Sequence, residues 1–345
     1  MKRIFTVPCV LLILMFALVA LALQFRTPNI ADPDGFYHFR HAQIMREQGV
    51  FSSAFPWAQF SEISEKSADL WYGFHVLLMP FTYLVSEPVA IKFAGAAGAF
   101  ALLMLVWAAL RKLKVKGAAL WALLFIIATP DIPFRIAMTR PHVLSLGLML
   151  FIFAATLEGS PWAVAVAAML FAWLHLSVAW IPVVVIGVIL FFSLVHRAHV
   201  PWKHVLGMSA GLLAGMLARP NPAGGLQLAY TQVVRFAAVK AQELPLRFGR
   251  ELVPFGWENF VTQLLPLALL VVIALCFLGW AVWSRNFKLI EQKRRIALWS
   301  SLALAALFGI LAFTAAGRAA ELAAAFAVVA LALIASSYPA FASRA

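Results

Sequence analysis

The chain has 345 residues, of which 64% are apolar and only 12% charged, with a mean hydropathy of +0.92. Soluble globular chains are about 45–50% apolar and about a quarter charged, so this composition excludes an ordinary soluble protein and a disordered one. The net charge is +13, and where it sits along the chain decides whether a nucleic acid is needed to explain it.

In chain order, apolar runs cover residues 4–23, 89–110, 117–129, 143–157, 161–174, 178–195, 205–218, 260–283, 296–316 and 322–338. Backbone in lipid must satisfy its own hydrogen bonds as helix or closed barrel. These runs are too long and unbroken for the alternation of a barrel strand. They predict an all-α polytopic membrane protein of about ten transmembrane helices, the shorter runs extending into polar flanks to reach the ~20 residues of a crossing. A further run over 71–86 carries His75 and Pro80 and is read as a helix dipping into the outer leaflet. The two cysteines, Cys9 and Cys276, both lie in apolar runs, which leaves no disulfide framework or cysteine metal site.

With the N-terminus in the cytoplasm, the cytoplasmic segments hold fourteen basic residues against only Glu158 and Glu291. They are Lys2, Arg3, Arg111, Lys112, Lys114, Lys116, Arg197, Lys203, Arg285, Lys288, Lys293, Arg294, Arg295 and Arg344. The opposite side is nearly balanced. Nearly all the excess charge is thus a positive-inside signal, and no nucleic acid is needed. Were 71–86 to cross fully, both large basic clusters would move outside, so the dip is the better topology. Both termini are then cytoplasmic. The chain reads as one transmembrane domain over 1–345 with long outer loops over 24–88 and 219–259, and any chemistry sits at the outer face.

The first outer loop opens Asp32-Pro33-Asp34-Gly35-Phe36-Tyr37-His38-Phe39-Arg40. Two carboxylates two residues apart can hold a divalent cation, or one can act as a general base. The same pair also suits a solvated loop start with Asp32 capping a turn. The second outer loop packs Asp131, Arg135, Arg140 and His142 into fourteen residues, 129–142, between two spans. Ionisable groups at a membrane edge are functional candidates, although arginines there also snorkel to anchor helix ends. His175 lies at an outer turn, where a hydrogen-bonded structural role is the commoner one. Arg235, Lys240, Arg247 and Arg250 lie among apolar residues of the third loop, a pattern suited to anionic headgroups. In the last outer turn Arg318 can hold a phosphate oxygen, or simply pair with Glu321 at i, i+3.

This order of features resembles the GT-C superfamily of membrane glycosyltransferases, and within it the catalytic subunit of oligosaccharyltransferase in its archaeal and bacterial form. The family's first loop reads Asp-Pro-Trp-Tyr/Phe-His/Asn-x-Arg. Asp34-Gly35-Phe36-Tyr37-His38-Phe39-Arg40 has the same Asp-to-Arg spacing. The resemblance implies a GT-C-like fold with Asp34 as catalytic carboxylate. It also implies substrate contacts from His38, Arg40, Arg135, Arg140, His142, His175, Arg318 and Glu321. The charge of the leaving phosphate would be met by arginines, or by a divalent ion, magnesium or manganese, held by the Asp32 and Asp34 carboxylates. Two departures stand out. The family's second acidic motif should fall near His142, where the chain reads His142-Val143-Leu144. The Trp-Trp-Asp acceptor signature and its soluble domain do not appear.

The expectation is a glycosyltransferase at the outer face of a prokaryotic cytoplasmic membrane, moving a sugar from a polyprenyl-phosphate donor to an acceptor glycan, lipid or protein. The alternative is a non-catalytic protein that binds or transports lipid-linked glycan.

Overall fold

The computed structural model describes residues 7–52, 55, 58–84, 86–241, 249–283 and 291–342. Of the residues in the charge count, Lys2, Arg3, Arg285, Lys288 and Arg344 lie outside the described residues, as does Arg247 of the third loop. The described residues are helical with no strand. In chain order the helices are α1 Val7–Phe25, α2 Asp34–Gln48, α3 Glu62–Lys66, α4 Tyr72–Leu78, α5 Glu87–Lys112, α6 Ala118–Ile126, α7 Ile132–Ala137, α8 Pro141–Glu158 and α9 Pro161–Leu174. There follow α10 Ile181–Val195, α11 Trp202–Leu217, α12 Pro222–Tyr230, α13 Phe236–Ala241, α14 Trp257–Asn259, α15 Leu265–Trp283, α16 Gln292–Thr314 and α17 Ala319–Ala342.

Every apolar run of the sequence carries a helix. Six helical stretches among the described residues are long and apolar enough to cross a membrane. They are Glu87–Lys112, Pro141–Glu158, Leu176–Val195, Trp257–Cys276, Gln292–Thr314 and Ala319–Ser337. On three of the remaining runs, α6, α9 and α11, with 9, 14 and 16 residues, fall short of the ~20 residues of a crossing. The nine residues of α6 span only about 13 Å at 1.5 Å per residue, against a hydrocarbon core of about 30 Å. Gly117, at φ +67°, opens that helix. Pro130 and Pro133 beyond it then prevent the helix from running on through the second loop. The 71–86 segment forms α4, seven residues, and a 3-10 turn over Met79–Tyr83, five residues. Neither has the length to cross.

Local chemistry sets the boundaries. Ser160 caps α9 by accepting from the Ala163 N–H, with Pro161 at the first helical position, where its missing N–H costs nothing. Arg111 and Lys112 close α5, where cations complement the carbonyl end of the helix. Gly49, at φ +98°, ends α2.

The centre of the bundle is α8 and α17. In their apolar windows 83% and 78% of residues are buried, against 11% for Trp257–Cys276. α8 packs on α5 and α9, α17 on α16, and α1 on α5. The closest pair is α9 with α11. A Cβ on Gly211 would lie 2.1 Å from the Ala165 carbonyl oxygen, and one on Gly215 2.2 Å from that of Met169. Gly207, one turn earlier, faces the Pro161 carbonyl. This glycine stripe at every fourth residue lets two backbones touch, the packing that holds helices together where lipid removes the hydrophobic drive.

Candidate functional site

The site is assembled from four separate segments. The Pro33–Asp34 turn, closed by the Gly35 N–H donating to the Asp32 carbonyl at 3.1 Å, puts Asp34 at the first position of α2. A carboxylate there is favoured by the helix N-terminus. Asp32, immediately before, is buried. The second loop contributes Arg135 from α7 and Arg140, the extended residue that caps α8. The loop is anchored by the Gln24 amide donating to its Ala137 carbonyl and by its Thr139 hydroxyl donating to the Ile91 carbonyl. The third segment is a 3-10 turn over Arg250–Leu252, which presents Glu251. It is strapped to the fourth, the α16–α17 turn. The Arg318 N–H donates to the Glu251 carbonyl at 2.9 Å, and the Gly317 N–H to that of Val253 at 2.8 Å.

The charged side chains form one alternating chain. Arg140 donates to both oxygens of Asp32, Nε to Oδ2 at 2.5 Å and Nη2 to Oδ1 at 2.7 Å. The same Nη2 lies 2.8 Å from Asp34 Oδ2, and Nη1 lies 3.3 Å from Glu251 Oε1. The other oxygen of Glu251 accepts from Arg135 Nη1 at 2.7 Å, and Arg135 Nε is 2.5 Å from Glu321 Oε1. Glu321 therefore pairs across the fold with Arg135. The sequence had offered Arg318 as its partner.

Arg140 is shared among three carboxylates, Asp32, Asp34 and Glu251. Burial pushes the Asp34 carboxyl up; Arg140 opposes this, while Asp32 and Glu251 add to it, and the net direction is upward. Glu251 moves the other way. Against its own burial, the Arg135 hydrogen bond and the nearby Arg318 and Arg140 hold it below the usual range. The Asp131 carboxyl is pushed up by burial, against Arg135.

Beside this chain lies a cavity of about 290 Å³, lined by His142, Ser145, His175, Arg318 and Glu321 together with Met149, Phe171 and Phe308. His142 Nε2 is 3.2 Å from the Arg135 carbonyl, and His175 Nδ1 is 3.1 Å from Ser145 Oγ. The chamber is apolar, with one guanidinium, two imidazoles and the Glu321 carboxylate, which Arg135 pairs; it suits a ligand that is mostly hydrocarbon with an anionic end directed at Arg318.

Asp32, Asp34, Arg135, Arg140 and Glu321 are thus brought into one chain, and His142, His175, Arg318 and Glu321 into one cavity. Two expected contacts stand elsewhere. Arg40 is exposed and donates to Gln43 Oε1 at 2.9 Å. His38 is buried in a separate cluster, with Nδ1 2.8 Å from His75 Nε2. Glu251 escaped the sequence reading, since a lone glutamate in a basic loop carries no local signal. So did Asp69 and His75 as a pair.

The Asp32–Asp34 pair does not fit a divalent ion as arranged. Arg140 stands between the two carboxylates and takes both oxygens of Asp32, so the cation at this position is the guanidinium itself.

Compared with known proteins, the chain matches no family model and no curated protein.

Proposed function

We propose that this is a membrane glycosyltransferase that moves a sugar from a polyprenyl-phosphate carrier to an acceptor hydroxyl at the outer face of a prokaryotic cytoplasmic membrane, with Asp34 as the catalytic carboxylate. One observation carries the reading. A half-exposed Asp34 and an apolar, arginine-bearing cavity are the two ends of a single ion-pair chain, through Arg140, Glu251, Arg135 and Glu321.

The carrier's phosphate would sit against Arg318, with the first isoprene units among Met149, Phe171 and Phe308. Asp34, lifted in pKa and 52% exposed, would take the proton of the acceptor hydroxyl as its oxygen attacks the anomeric carbon. The bond from that carbon to the phosphate oxygen breaks, and the lipid phosphate leaves with the electron pair. A phosphate leaving group needs charge stabilisation more than it needs a proton. Arg318 and Arg140 would supply it, guanidinium forks being matched to phosphate.

The test is release of lipid phosphate from a panel of polyprenyl-phosphate sugars by the full chain in lipid, beside Asp34→Asn. Turnover by the native chain that disappears in Asp34→Asn supports the reading. Equal turnover in both overturns the role of Asp34. Saturable donor binding with no turnover across all acceptors favours the glycan-binding alternative.

A further inference from the structure

One turn and two turns along α2 from Asp34 lie His38 and His41, and both are buried, 3% and 1% exposed. They face Asp69, from the segment that leads into α4, and His75 of α4 itself, buried to 6% and 0%. Neither the Asp34 site nor the cavity uses this cluster.

We propose that His41, Asp69 and His75 bind one transition-metal dication of the imidazole–carboxylate class, zinc(II) foremost, which pins α2 to α4. The nitrogen and oxygen atoms that they offer all lie within 4.8 Å of one another. Two imidazoles and a carboxylate are a donor set for zinc or iron(II), and a poor one for magnesium or calcium, which take oxygen.

The spacing supports it. Zinc bonds of about 2.0–2.1 Å to nitrogen and oxygen put tetrahedral ligands roughly 3.3–3.4 Å apart. His41 Nε2 lies 3.4 Å from Asp69 Oδ2. His75 Nδ1 lies 2.6 Å from the same oxygen, a proton-bridged distance that opens by roughly 0.7 Å when a metal replaces the proton. That proton moves to Nε2 of His75, where His38 Nδ1 accepts it 2.8 Å away, and His38 carries its own on Nε2. Metal-bound histidines commonly have such a partner on the far nitrogen.

Each ligand is also held in place by a further group. The Trp71 N–H donates to Asp69 Oδ1 at 2.8 Å and so leaves Oδ2 for the ion. Arg219 Nη1 donates to the Asp69 carbonyl at 3.0 Å. The His41 ring stacks on Phe55, with centroids 4.6 Å apart.

The test uses the full chain with a histidine-free tag, in lipid, stripped by a chelator and titrated with cobalt(II). Expected are the visible d–d bands of a nitrogen- and oxygen-bound cobalt, saturating at one equivalent and bleached by zinc(II). His41→Gln and His75→Gln, with helicity checked by circular dichroism, remove the bands. His38→Ala weakens binding about 10–100-fold, and Asp34→Asn leaves it unchanged. Either of two results overturns the proposal: a native chain that takes up no cobalt, or uptake that His41→Gln and His75→Gln both retain. The readout is independent of turnover, so it stands or falls apart from the glycosyltransferase reading.

Discussion

Arg140 grips Asp32 through two parallel hydrogen bonds, Nε to Oδ2 at 2.5 Å and Nη2 to Oδ1 at 2.7 Å, across a sequence separation of 108 residues. The pair ties the first outer loop to the second. Asp32 is buried and Arg140 is only 17% exposed at its side chain, so neither charge is well solvated if its partner is lost. Breaking such a pair from one side costs about 3–5 kcal/mol. Arg140→Gln is therefore expected to lower the thermal stability of the detergent-solubilised chain sharply. Adding Asp32→Asn should restore part of the loss, because the stranded carboxylate is then removed. A double mutant no more stable than Arg140→Gln would show that the two residues do not interact as a pair.

Asp34 is the exposed partner of the same arginine. Its substitution by asparagine keeps the shape and the helix start while removing the proposed base. Positioned bases contribute roughly 10²–10⁴-fold to rate, so turnover in Asp34→Asn should fall by that order with the melting temperature little changed. Parallel loss of turnover and folded protein would instead make Asp34 a structural residue.

The raised Asp34 pKa predicts the pH profile, and the sign follows from its cause. In the proposed reaction the working form is the carboxylate, so activity rises with pH as the group loses its proton, at a pH above the ordinary value of an aspartate. Arg140 is the group that lowers this pKa. Replacing it with glutamine should move the acid limb of kcat/KM to still higher pH. A limb that stays in place would mean that another group controls it.

Arg318 lines the cavity with its side chain half-buried. Arg318→Ala should weaken donor binding, visible as a raised KM for the polyprenyl-phosphate sugar. A fall in kcat as well would place the guanidinium against charge that grows in the transition state. No change in either constant would remove the phosphate contact.

Gly211 faces the Ala165 carbonyl oxygen where a Cβ would lie at 2.1 Å. The obstacle is backbone, so Gly211→Ala must separate α9 from α11, at a cost of about 1–3 kcal/mol. Gly187, whose Cβ would meet nothing within 4 Å, is the control for helix propensity. Ala165→Gly should not rescue Gly211→Ala, since it removes no atom in the clash. Equal melting temperatures for the Gly211 and Gly187 alanine variants would show the pair to be looser than described.

Hydrophobicity is a local property of the chain, and so by itself the sequence was enough to predict an all-helical chain and to mark the apolar runs, six of which carry helices long and apolar enough to cross a membrane. It also picked out Asp32, Asp34, Arg135, Arg140, His142, Arg318 and Glu321 as charged or polar groups at the edges of those runs, where a bare ionisable side chain is costly and so informative. The lengths of the helices were less legible. Positions such as Gly117 and Pro130 cut α6 short, and averaged hydropathy passes over them. What only the tertiary structure decided is the pairing. Glu251 reaches Arg135 and Arg140 because a turn more than a hundred residues away is laced by backbone hydrogen bonds to the α16–α17 turn. His75 meets His38, and Asp69 meets His41, because α4 and the residues before it fold back on α2. Ion pairs and ligand sets depend on distance in space, which packing fixes and residue order along the chain does not encode.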